Sequence, residues 1–129
     1  MMAMGTNSAM RNPNAAHIDF RDLVGIIPEN PKALPSNIDM VYERKGFFLV
    51  GEWKKPNEEM SRGQEILLMN MAKNAAFHVL IIHGDTDATG MHVKGFFRYT
   101  IDGRLLLAGN SLEDLKNFIQ RWYNWANGH

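Results

Sequence analysis

The sequence predicts an α/β domain: a central mixed β-sheet flanked by helices. Three observations point to it. Residues 37–43 and 47–54 are strand-like runs joined by Lys45-Gly46, and residues 91–100 and 104–108 form a second pair across Asp102-Gly103. Both read as hairpins, because glycine supplies the positive φ that a short turn needs. Ala76 to Ile82 is a short, unbroken apolar run with β-branched residues, the mark of a strand covered on both faces. Two stretches with helical spacing, near Ser61 and after Ser111, supply that cover.

Taken in order, residues 1–16 are rich in Met, Asn and Ala. They lack the apolar centre of a signal peptide and read as a disordered tail. Residues 17–129 read as a single domain. Ala16 to Val24 reads as a short helix, with an edge strand as the alternative, and Gly25 to Ser36, with Pro28, Pro31 and Pro35, as a loop. Lys55-Pro56-Asn57 ends the first hairpin. Ser61 and Gln64 then fit a capping box. Leu68, Met71, Ala72 and Ala75 follow at i, i+3, i+4 and i+7. Gln64 precedes Leu68 by four and so continues the inward stripe at the first turn. Gly84 to Gly90 reads as a polar loop. Ser111 caps the last helix, with Glu113 and Asp114 in its first turn and Leu112, Leu115, Ile119 and Trp122 on its apolar side.

Composition narrows the function. The net charge is zero, which argues against strong non-specific nucleic-acid binding, since phosphate neutralisation by Lys and Arg drives it. It does not exclude a local nucleic-acid site, because acidic residues grouped in one place offset basic ones in the sum. The chain has no cysteine, which excludes disulfides and thiolate metal sites and fits a cytoplasmic setting. No apolar run approaches the roughly 20 residues of a membrane span, so no membrane partner is expected.

The chemistry concentrates in the first hairpin. If Lys45-Gly46 is the whole loop, Arg44 pairs with Phe47, and counting outward sets Asp39 opposite Glu52. Side chains alternate along a strand, so Asp39, Glu52 and Lys54 share a face. Val41, Phe48 and Val50 lie on that face too, which predicts burial. Two carboxylates opposed across a strand pair repel, and unpartnered burial is costly. Such a pair asks for a cation, here a divalent metal with Lys54 beside it. A structure with the two acids on opposite sheet faces would end this reading.

An Asp on one strand and Glu52-Trp53-Lys54 on the next resembles the PD-(D/E)XK nuclease superfamily, over roughly residues 17 to 84. Ser61-Arg62-Gly63-Gln64 is similar to the helix start of its VRR-NUC and Holliday-junction-resolvase branches. Asp39 follows Ile38 rather than the usual proline, and no Glu precedes Glu29, so Asp19 or Asp22 stands where many members carry a further acid. The resemblance implies a restriction-endonuclease-like fold and Mg²⁺-dependent cleavage of DNA phosphodiesters, with Mn²⁺ as a substitute. Asp39, Glu52, Lys54 and Gln64 would be the catalytic residues. Asp39, Glu52 and the Trp53 carbonyl would hold the metal, and Arg62 and Lys55 would touch nucleic acid. It further implies a homodimer, a phage or prokaryotic setting, and junction or branched DNA among the substrates. The alternative is a nuclease-like DNA-binding or assembly protein without turnover.

Other residues read more plainly. His78 is expected in the core, and the spacing of His78, His83 and His92 fits no compact zinc motif. Trp122, Tyr123 and Trp125 read as core or subunit-interface aromatics rather than base-stacking ones. Asp85 and Asp87 are expected in a loop outside the site.

Overall fold

The computed structural model describes residues 19–129; the expected tail over residues 1–16, and the start of the first expected helix, lie outside the described residues. The chain divides into two compact units, Met1–Pro35 and Ser36–His129. In the first, the described part of the expected helix holds a single 3-10 turn over Arg21–Leu23. Gly25, at φ 83°, turns the chain away, and its N–H donates to the Pro31 carbonyl at 3.0 Å. The remainder is the expected proline-bearing loop.

The second unit is a five-stranded mixed sheet with one helix on each face. Its elements are β1 (Met40–Arg44), β2 (Phe47–Lys54), α1 (Arg62–Ala72), β3 (Phe77–Asp87), β4 (Gly90–Tyr99), β5 (Leu105–Gly109) and α2 (Leu112–Asn127). Sheet order follows chain order. Only β2 and β3 run parallel. That junction needs a crossover, and α1 provides it.

Turn chemistry fixes the first hairpin. Lys45 and Gly46 both have positive φ, 53° and 83°, the pattern of a two-residue turn whose twist matches the flanking strands. Arg44 faces Phe47 and Met40 faces Gly51. β1 is shorter than expected and begins at Met40, just past Asp39.

β2 and β3 send successive side chains to opposite layers. Leu49, Leu80, Ile82 and Phe96 pack with Leu115, Trp122 and Ala126 on the α2 side. Val50, Val79, Ile81 and Tyr99 pack with Leu68 and Ala72 on the α1 side. This two-sided demand explains the unbroken apolar runs.

Two boundaries differ from the sequence reading. The polar stretch Gly84 to Gly90 is not a loop: β3 continues to Asp87, and β4 starts at Gly90. Past the core, this arm of the hairpin is exposed on both faces, so strand there carries no apolar pattern. α1 ends at Ala72, leaving Ala75 outside it. Asn74 stops the helix, its side-chain oxygen accepting the Ala76 N–H at 2.9 Å, a local bond that competes with the helical ladder. Among the described residues no helix is long and apolar enough to cross a membrane.

A bulge between His83 and Gly84 interrupts the β3–β4 ladder. A Cβ on Gly84 would sit 2.1 Å from the His92 carbonyl oxygen. Gly84→Ala is therefore expected to cost about 2 kcal/mol or more, in the range of core overpacking. Gly63→Ala, in the first turn of α1 with nothing within 4 Å, should be neutral or slightly stabilising. Urea unfolding of both variants is the check; equal midpoints would show that the bulge yields freely.

Candidate functional site

The end of β2 presents Glu52 and Lys54 to the α1 side of the sheet. Both are buried, 4% and 6% exposed, which is unusual for charged side chains and requires partners. Continuing the observed register past Met40–Gly51 sets Asp39 opposite Glu52. The Asp39 carboxylate accepts the Trp53 N–H at 2.9 Å. It takes a ladder donor just where β1 has not yet begun. The expected burial of this face holds for Val50, and Phe48 is half-buried, but Val41 is 52% exposed. α1 packs on β3 and β4, leaving the edge strand β1 uncovered on that side.

Gln64 joins the two buried charges. Its backbone N–H donates to the Ser61 hydroxyl at 3.1 Å, capping α1. Its side chain does not return to Ser61 as a full capping box would. Instead its amide nitrogen donates to Glu52 Oε2, and its amide oxygen accepts from Lys54 Nζ at 2.6 Å. One primary amide, with donors at one end and an acceptor at the other, thus satisfies an acid and a base at once.

Burial, then the hydrogen bond and charge of neighbouring Asp39, push the Glu52 carboxyl up to about 8; Lys54 opposes this, and Glu58 adds a little. Glu58 escaped the sequence reading because it lies in an irregular loop, where its carboxylate accepts the Lys55 N–H at 2.9 Å. Among the described residues no three or more His, Asp or Glu gather as a metal-holding group. The donor set is a carboxylate pair, whose oxygens suit Mg²⁺, an ion that uses one or two protein carboxylates and keeps several waters. The shifted Glu52 is the observation that fits a cation: a positive charge between the acids would offset the burial, and then the charge of Asp39, that keep its proton on.

The other expected residues are placed as follows. Arg62 opens α1 and pairs with Glu65 on the exposed helix surface. Lys55 is exposed beside the site and, among the described residues, has no ion-pair partner. With Trp53, Gly84, Asp85, Thr86 and Met91 it lines a cavity of about 250 Å³. Asp19 belongs to the first unit, where Arg21 holds its carboxylate and keeps it below the usual range; Asp22 lies in the 3-10 turn.

The three histidines do not meet. His78 packs against Trp125 on the α2 side. His92 contacts Asp87 and Thr89 at the tip of the second hairpin. Asp87 itself lies at the end of β3, not in a loop, and with Asp85 is part of that strand. His83 is the register partner of Lys54 on the neighbouring strand. It shares the Glu52–Lys54 face, a position visible only once the parallel register is known. Comparisons with protein-family models, with curated proteins and with solved structures found no match.

The Glu52 shift has a consequence for stability. Its folded value lies near 8 and its ordinary value at 4.5. Protonation therefore favours the fold: the contribution is whole below about pH 4.5 and is lost as pH rises towards 8. Without divalent metal, stability is expected to fall across that window at up to roughly 1.4 kcal/mol per pH unit. Glu52→Gln, which keeps an acceptor for Gln64, should flatten the slope. Urea midpoints in EDTA from pH 5 to pH 8 measure it, and parallel profiles for both proteins would remove Glu52 from the account.

Proposed function

We propose that this chain is a Mg²⁺-dependent DNA endonuclease of the PD-(D/E)XK type. The observation that supports the reading best is the join between Glu52 and Lys54, both buried, through the side chain of Gln64, with Asp39 across the strand pair. A buried carboxylate held in repulsion with a second one has little structural merit. It gains one when a cation and a phosphodiester occupy the face.

Asp39 and Glu52 would hold the ion, as the resemblance assigns, with the Trp53 carbonyl alongside. When bound, Mg²⁺ supplies Lewis-acid stabilisation of phosphate oxygens and makes water a better nucleophile. The protein's own groups do the rest. Lys54 places an ammonium where negative charge develops on the phosphate. Gln64 fixes that ammonium and the Glu52 carboxylate relative to one another, so neither spends rotamer freedom during reaction. In this reading Arg62 and Lys55, exposed on the adjoining α1 start and loop, would meet the DNA backbone. In this reading the partner is DNA, junction or branched forms included. The working unit is two copies, and the setting is cytoplasmic.

Cleavage of branched, linear and single-stranded DNA, with Mg²⁺, Mn²⁺ or EDTA, is the direct test. Asp39→Asn and Glu52→Gln are expected to abolish cutting while retaining the fold. Lys54→Ala should lose on the order of 10²–10³ in rate. Gln64→Ala should lose less; because the cap uses the backbone N–H, α1 should still be capped. Parent-rate cleavage by both acid variants would sink the proposal. Binding of DNA with no metal-dependent cutting would favour the non-catalytic alternative.

Metal affinity gives a readout independent of cleavage. Glu52 holds its proton at neutral pH, so Mg²⁺ binding near pH 7 is expected to release about one proton. Calorimetry in buffers of differing ionisation enthalpy would show this. Glu52→Gln should bind more weakly and release none.

A further inference from the structure

The α2 side of the sheet contains a cavity that the hydrolytic reading does not use. It is a groove of about 390 Å³, largely open to solvent, and is lined by His78, Arg98, Phe118, Arg121, Trp122 and Trp125. The size is within the range of small-ligand pockets, roughly 300–1,000 Å³. Its chemistry is one-sided. There is no carboxylate in the lining, and among the described residues neither arginine has an ion-pair partner.

Two ring nitrogens in the lining residues are buried without any hydrogen-bond partner: His78 Nδ1 and Trp122 Nε1. Trp122 as a whole is only 5% exposed. Unsatisfied buried polar groups are rare, and each calls for an explanation. The indole N–H can only donate, and so can the guanidiniums. Burial, then the charge of Arg98, hold the His78 imidazole below its usual range, which leaves Nδ1 free to donate or accept.

Three aromatic side chains complete the lining. His78 meets Trp125 edge to face at 4.9 Å between centroids. Phe118 meets Phe96 of the core at 5.8 Å, which fixes its ring from behind. A ligand that answers these features needs a flat ring to lie against Phe118 or Trp125. It also needs an anionic, acceptor-only group for the two arginines, both exposed. Guanidinium forks match phosphate oxygens in pairs, and nucleobases stack on aromatic faces.

We propose that this cavity binds a nucleobase carrying a terminal phosphate, as a free nucleoside monophosphate or as the 5′ end of a strand. The site stands on the opposite side of the sheet from Glu52 and Lys54, and it does not rest on the hydrolytic reading.

The test is a calorimetric titration of the full chain in EDTA with four probes: dAMP, deoxyadenosine, inorganic phosphate and a 5′-phosphorylated trinucleotide. dAMP is expected to bind one to one. Deoxyadenosine and phosphate should each bind at least about tenfold more weakly, since each satisfies half of the lining. Arg98→Gln and Arg121→Gln should each weaken dAMP about tenfold or more, the usual loss for a charged hydrogen-bond partner. Glu52→Gln should bind as the parent does, which separates this site from the hydrolytic one.

Arginine-dependent binding of the trinucleotide without dAMP would assign the site to strand ends, still a base with a phosphate. No binding of either at millimolar concentration would overturn the proposal. So would phosphate binding as tightly as dAMP, or full affinity in the two surface variants Arg98→Gln and Arg121→Gln.

Discussion

Burying Glu52 and Lys54 side by side on one strand sets the terms for much of this fold. Neither polar group can be left without a partner in the interior, and the two are not in direct ion contact: among the described residues no salt bridge links them. Gln64 closes the gap from the first turn of α1. The start of α1 is therefore fixed by polar as well as apolar contacts. Ser61 sets the helix start, Gln64 pins it to β2, and Leu68 and Ala72 carry the same stripe into the core. Moving the cap by one residue would rotate Gln64 off the stripe and strand both charges.

The sheet's two layers divide the labour. On the α1 side, the apolar packing stops at Glu52, and the polar cluster takes over at the end of β2. On the α2 side, apolar packing runs through Leu49, Leu80, Ile82 and Phe96, and polar lining appears around His78 at the start of β3. The parallel β2–β3 pair lies between. Its residues face both layers alternately, so the polar positions of one layer are held by the packing of the other.

Much of this was legible in the chain. Lys45-Gly46 fixes a register, and with a side-chain period of two, the register places Asp39 opposite Glu52 and Lys54 on their face. Spacing from Leu68 places Gln64 inward. The double-faced burial of β3 follows from its unbroken apolar run. The misses have physical causes as well. Asp85 to Asp87 is exposed strand without an apolar pattern, so the stretch from Gly84 to Gly90 reads as loop. The first expected helix rests on a few apolar residues with no cap, and Gly25 ends it at once. Glu58 and His83 reach the site through loop geometry and parallel register, neither of which single-sequence periodicity can report. Gln64 reads both as a cap and as an inward residue; its backbone N–H makes the cap, and its side chain bridges Glu52 and Lys54.

Every hydrogen bond that assembles the candidate site joins residues close in the chain. Asp39 to Trp53 spans 14 positions, Glu52 to Gln64 spans 12, and Lys54 to Gln64 spans 10. Closing loops of that length costs little entropy, and the cost rises only slowly with length. The hairpin and the start of α1 can therefore come together early in folding, before the distant strands join. Final desolvation of Glu52 and Lys54 waits for β3, because the parallel pairing closes the layer beneath them. The two side chains can thus meet while water still surrounds them and be sealed in afterwards, an order that would spare the chain from drawing unpartnered polar groups into a finished core.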